Sequence, residues 1–168
     1  VKNGPSPKWM QDRLKAIGLR PISALVDITN YVMMDAGRPL HAYDADKVTG
    51  DIVIRFAEPG ESYMALNGKE YIFDETMIVI GDDHGVDDLA GIMGGERTGC
   101  SDETVNMFLE VAIFDPLRVA ATGRKLNVLS DARYRFERGL DQLSPWWGAE
   151  LATKLILDLC GGEASHLV

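Results

Sequence analysis

Cysteine is scarce. The 168 residues hold two, Cys100 and Cys160, and neither forms a Cys-x-x-Cys pair. A disulfide framework and a cysteine-based zinc site are therefore excluded, and the pattern fits a reducing cytoplasm, the expected location. No apolar run reaches the roughly 18 residues of a membrane helix, and no secretory signal is recognisable, so no membrane partner is expected. Histidine is limited to His41, His84 and His166. No Gly-x-Ser-x-Gly elbow, Walker A loop or dinucleotide glycine fingerprint occurs. Basic residues are few: 17 Lys and Arg against 26 Asp and Glu, for a net charge of −9. That balance opposes nucleic-acid binding by the surface as a whole. The distribution is uneven, however. Six basic residues (Arg118, Arg124, Lys125, Arg133, Arg135, Arg138) stand against Asp131 and Glu137 between 118 and 138. Such a strip is either a local RNA contact or an ordinary solvated face.

A hydrophobic share of 46% and a charged share of 26% describe an ordinary globular chain. The length suits one domain, 1–168, with room for two lobes. The missing initiating methionine and an end soon after the last helix suggest a domain excised from a longer chain. Ser6-Pro7 predicts a capped helix start, with Met10, Leu14 and Ile17 at helical spacing and Gly18 as the stop. A second helix is predicted over 23–36, with Leu25, Val26, Thr29, Val32, Met33 and Ala36 along one side and Gly37 ending it. Arg38 to His41 reads as an extended loop.

The period then changes. Strands are predicted over 52–57, 71–73, 77–80, 89–93 and 107–114, with Asn67-Gly68 as a two-residue hairpin turn. Asp115-Pro116 and Ser130-Asp131 open two further helices, the second stopping at Gly139. Pro145 opens the last, with Leu151, Leu155 and Leu159 at i, i+4 and i+8 and Gly161-Gly162 closing it. Strands in the middle with helices at both ends predict an α+β fold on a mixed or antiparallel sheet.

Three local anomalies could carry chemistry. His41, in Pro39-Leu40-His41-Ala42-Tyr43-Asp44, is either a structural hydrogen-bond bridge or a functional group. Glu110 lies in the middle of the apolar run Met107 to Phe114. A carboxylate there is costly unless it is paired with a cation or faces a ligand. Ala90-Gly91-Ile92-Met93-Gly94-Gly95-Glu96 is a small-residue turn that lets a backbone or a ligand approach closely. The stretch Asp82 to Asp88 resembles a metal loop superficially, but it lacks calcium-loop spacing and reads as an acidic surface turn. No metal ligand set is expected.

Taken together, Gly18-Leu19-Arg20-Pro21-Ile22, Val26 to Met33, Gly37 to Asp44, Ala90 to Glu96, Leu109 to Phe114 and Arg135 to Asp141 resemble, in order and spacing, the editing module of bacterial phenylalanine–tRNA ligase beta subunits. The resemblance runs from about Ser6 to Gly162. It implies an α+β module that hydrolyses tyrosine wrongly attached to the phenylalanine tRNA. The catalytic surroundings it implies include His41, Ser130 and Gly94, and the backbone amide of the adjacent Gly95 is a further catalytic candidate for holding the oxyanion. The substrate-binding residues it implies are Glu110, Arg20, Pro39, Thr29, Asn30 and Ala132, with Glu110 receiving the para-hydroxyl of tyrosine. No cofactor is implied in this domain. ATP and magnesium belong to the alpha subunit, the partner in an assembly of two alpha and two beta chains. Arg38 stands where the family often has glutamine, Ser130 where threonine is common, and Arg133 where serine is common. Two other readings remain: a tRNA-binding or structural module of the same subunit without hydrolysis, and a metal-dependent hydrolase using Asp82 to Asp88.

Overall fold

A computed structural model describes residues 1–167. By internal contacts the chain forms two compact units, each interrupted in sequence. The first comprises Val1–Asp46, Cys100–Val111 and the stretch from Leu143. The second comprises Lys47–Gly99 and Ala112–Gln142. All strand pairs among the described residues are antiparallel, and helices occupy both ends of the chain, as the α+β expectation requires.

The first unit holds helices α1 (Lys8–Ala16), α2 (Ala24–Ala36) and α5 (Ser144–Cys160), with strands β1 (His41–Asp44) and β8 (Met107–Glu110). Its core joins Met10 and Leu14 of α1, Leu25, Ile28 and Val32 of α2, and Ala152, Ile156 and Cys160 of α5. Three expectations change here. Ser6 does not cap α1; its hydroxyl donates to the buried Asp27, whose other oxygen accepts the Ile22 amide at 2.8 Å. Along α2 the buried side includes Asp27 and Ile28, whereas Ala36 is exposed and Gly37, at φ +71°, ends the helix. On α5 the buried stripe is Ser144, Gly148, Ala152, Ile156 and Cys160, one position removed from the leucines, and Leu151 is 36% exposed. This stripe faces α2, and at Gly148 it leaves room for the buried Arg38 side chain, whose Cγ an added Cβ would approach to 2.8 Å.

The second unit is a four-stranded sheet in the order β2 (Val53–Phe56), β5 (Ile78–Asp82), β6 (Gly85–Leu89), β7 (Met93–Gly94), with a hairpin of β3 (Ser62–Met64) and β4 (Glu70–Ile72). Helices α3 (Pro116–Lys125) and α4 (Asp131–Phe136) complete it. The Asn67-Gly68 hairpin forms, but with a longer turn. The Gly68 amide donates to Ala65 O at 2.8 Å, the Ala65 amide to Lys69 O at 3.0 Å, and Gly68 has φ +71°. This is a type I turn followed by a left-handed residue, in which only the glycine needs positive φ.

The run expected as a strand over 89–93 is instead a strand end, a turn and a new strand. Gly91 sits in the turn at φ +69°, where a Cβ would come within 2.8 Å of Phe114 Cδ2. Helix α3 begins as Asp115-Pro116 predicts. Asp115 Oδ1 accepts the amides of Leu117 at 2.9 Å and Arg118 at 3.0 Å. Replacing Asp115 by alanine is expected to cost about 1 kcal/mol in denaturant unfolding, the usual loss for a side-chain cap. An unchanged midpoint would show that the cap contributes nothing.

Candidate functional site

His41 is not in a loop. It opens β1, and the register sets His41 opposite Glu110, Ala42 opposite Leu109, Tyr43 opposite Phe108 and Asp44 opposite Met107. Directly opposed residues of an antiparallel pair project from the same face, with Cβ atoms about 5 Å apart. One face of this two-stranded ribbon therefore presents His41, Tyr43, Phe108 and Glu110. The rings follow suit: His41 meets Tyr43 edge-on at 4.5 Å between centroids, and Tyr43 lies 5.8 Å from Phe108. Tyr43 is fully buried, His41 and Glu110 are half-buried, and Phe108 is 39% exposed. Glu110 is the last residue of its strand, not the middle of one.

Arg38, three residues before His41, is fully buried. Burial lowers its guanidinium pKa to about 10, while the charge of Glu110 pulls the other way. Pro39 beside it is also buried. Helix α2 packs against β1; it carries Thr29, whose hydroxyl donates to Val26 O at 2.8 Å, and the half-buried Asn30. Arg20 is exposed in the connection between α1 and α2.

The remaining implied residues belong to the second unit. The Gly95 amide donates to the buried Asp88 at 2.8 Å, and Gly95 bridges Ala65. Gly94 pairs with Asp88 across β6 and β7, and its carbonyl accepts the Leu66 amide at 3.0 Å. Ser130 caps α4 by accepting the Arg133 amide at 3.0 Å, and its hydroxyl donates to Ile92 O at 2.6 Å. Ala132 is half-buried in the first turn of α4. Ser130 thus ties the start of α4 to the turn that leads into Gly94.

The acidic stretch is less of a surface turn than expected. Asp83 and His84 are exposed at the tip of the β5–β6 hairpin, but Asp87 and Asp88 are buried. Arg97 holds Asp82 at 2.6 Å and Asp87 at 2.5 Å. Burial raises the Asp87 pKa against the pull of Arg97. At Asp82 burial is outweighed by Arg97 and by the amides of Thr49 and His84, which hold its pKa below the ordinary carboxylate value. These carboxylates are neutralised from within, and among the described residues no cluster of three acids, histidines or cysteines is disposed to hold a metal. The basic strip is largely engaged too. Arg133 and Arg138 pair with Glu137, Arg135 with Asp131 and Lys125 with Asp74, while Arg138 lies 3.6 Å over the Tyr134 ring. The aromatic members of the ribbon face, Tyr43 and Phe108, carry no site role in the sequence reading. Their alternation with His41 and Glu110 is the signal that could have found them.

A histidine and a glutamate paired across a short ribbon, and a glycine turn pinned by a buried aspartate, define an α+β domain with two polar foci on an otherwise structural frame. The chain belongs to the B3/4 domain family, whose model matches residues 1–161. It is similar to proteins named phenylalanine–tRNA ligase beta subunit. The one from Mesorhizobium japonicum is 60% identical over 166 residues, covering 99% of this chain and 21% of that protein. The one from Paramagnetospirillum magneticum is 61% identical over 168 residues, covering 100% and 21%. The chain spans about a fifth of the length of the curated relatives it matches. A solved N-terminal fragment of the phenylalanyl-tRNA synthetase beta subunit from Pyrococcus horikoshii aligns with a TM-score of 0.43 at 19% identity, over 51% of this chain and 32% of its own, a likeness too partial to bear on the fold. Among the described residues no helix is long and apolar enough to cross a membrane.

Proposed function

We propose that this chain is the editing domain of a phenylalanine–tRNA ligase beta subunit, hydrolysing the ester that joins tyrosine to the phenylalanine tRNA. The observation that carries the reading is the register of β1 and β8, which sets Glu110 opposite His41 on a face that also bears Tyr43 and Phe108. Tyrosine differs from phenylalanine by one hydroxyl, and an apolar pocket rejects an added hydroxyl weakly. A half-buried carboxylate reverses the preference. Tyrosine offers it a hydroxyl donor and phenylalanine offers none, a difference of about 1–3 kcal/mol or more. In the hydrolytic step a water adds to the ester carbonyl, the bond to the ribose oxygen breaks, and tyrosine and a free tRNA end are released. His41 and Arg20 orient the terminal adenosine or the water.

Backbone amides near Gly94 and Gly95, or Ser130, stabilise the oxyanion. The Gly95 amide is bonded to Asp88 and the Ser130 hydroxyl to Ile92 O, so each must exchange that bond to act. Those engaged donors favour the second reading, a tRNA-binding or structural module without hydrolysis. By either reading the whole enzyme attaches phenylalanine to its tRNA, with ATP and magnesium at the alpha subunit, in an assembly of two alpha and two beta chains. The test is tyrosine release from preformed tyrosyl-tRNA by the intact two-subunit enzyme. Editing requires release faster than that of phenylalanine by about tenfold or more. Release of both amino acids at the uncatalysed rate would reassign the domain to binding.

A further inference from the structure

Arg38 presents an energetic problem. Its side chain is fully buried, and α5 comes so close that a Cβ on Gly148 would stand 2.8 Å from Arg38 Cγ. Ser144, one turn earlier on the same stripe, is buried as well. The helix surface is thus shaped around an arginine. Burying a guanidinium is expensive, and an apolar side chain of similar volume fills such a space at lower cost. The burial makes physical sense if something nearby uses the charge. That neighbour is Glu110: its charge acts on the Arg38 guanidinium, and the strand register sets it opposite His41, which lies three residues along the chain from Arg38. The guanidinium stays protonated at neutral pH, because burial brings its pKa down only to about 10.

The use of that charge follows from the hydrogen-bonding capacity of a carboxyl group. Ionised, it only accepts; protonated, it also donates, and then no longer demands a donor from the substrate. We propose that Arg38 is a positioning residue for substrate selection: packed against α5, its guanidinium charge fixes the Glu110 carboxylate in place as the acceptor that a para-hydroxyl on the amino acid meets. This inference rests on the editing reading of Glu110.

The test uses the intact two-subunit enzyme carrying Arg38→Met, Arg38→Lys, Glu110→Gln, or Arg38→Met with Glu110→Gln. The quantity read is the ratio of kcat/KM for tyrosyl-tRNA over phenylalanyl-tRNA hydrolysis. Arg38→Met is expected to lower it about tenfold, mainly through KM for the tyrosyl ester. Arg38→Lys is expected to restore most of the ratio. On the Glu110→Gln background Arg38→Met should change it by less than about twofold, the signature of action through Glu110. An unchanged ratio, an equal loss on both esters, or the same factor with and without Glu110 would overturn the proposal. If Arg38→Met does not fold, Arg38→Gln is the neutral variant read in its place. Binding of non-hydrolysable tyrosyl- and phenylalanyl-adenosine amides separates this inference from the editing reading. A tyrosine preference without hydrolysis, lost in the neutral variant and regained with lysine, upholds Arg38 while removing the hydrolase. No preference in the unaltered enzyme overturns both.

Discussion

Replacing Glu110 by alanine in the two-subunit enzyme is expected to lower kcat/KM for tyrosine release from tyrosyl-tRNA by about ten- to a hundredfold or more, and to leave phenylalanine release unchanged or raised. The asymmetry follows from what each ester loses. On the proposed editing reading, the tyrosyl ester loses a charge-assisted hydrogen bond, which is stronger than one between neutral groups. On the same reading the phenylalanyl ester loses no bond, because it has no hydroxyl to offer the carboxylate. Glu110→Gln should fall between, since an amide oxygen still accepts but carries no charge. Glu110 ends its strand and is only half-buried, so the fold should tolerate the change, and a thermal melt beside the kinetics checks this. Equal losses on both esters would mean that Glu110 supports the architecture of the ribbon and does not read the hydroxyl.

The elements that local punctuation defines were legible. Asp115-Pro116 and Ser130-Asp131 announce the helices they cap, and Gly37 announces the end of α2, because capping and left-handed termination depend on neighbours in sequence. What failed depends on distant partners. β1 is four residues long and gains its identity from β8, so His41 reads as the end of the loop that begins at Arg38 until the pairing is seen; residues 38–40 are indeed irregular. β6 carries two aspartates and reads as a surface turn. It is a strand because Arg97 and the Gly95 amide satisfy those carboxylates from elsewhere in the unit. Arg38 illustrates the same limit within the candidate site: the space that buries it is created by Gly148, far along the chain. His41 and Glu110 stood out as anomalies of type, a histidine beside proline and an acid in an apolar run. Their partnership is a matter of register, which sequence spacing does not encode.

The glycine turn yields the largest expected stability effect. In the sequence, its small residues leave open whether a ligand or a backbone makes the close approach. At Gly95 it is a backbone: a Cβ would lie 2.1 Å from Asp87 O and 3.1 Å from Tyr63 Cδ2. No rotamer change relieves a clash with a carbonyl oxygen in a sheet strand, so β6 or the turn has to move. Movement would also strain the bond from the Gly95 amide to Asp88 and the bridge to Ala65. Gly95→Ala is therefore expected to cost about 3 kcal/mol, the upper end of ordinary overpacking, and to lower Tm of the 168-residue chain by about 6–12 °C. Gly68→Ala is the control. Nothing lies within 4 Å of its added Cβ, and only the positive φ of +71° is strained, so its cost is expected near 1 kcal/mol. If the two variants melt together, the close approach at Gly95 is absorbed by the sheet, and the tight fit of the turn is not what requires glycine there.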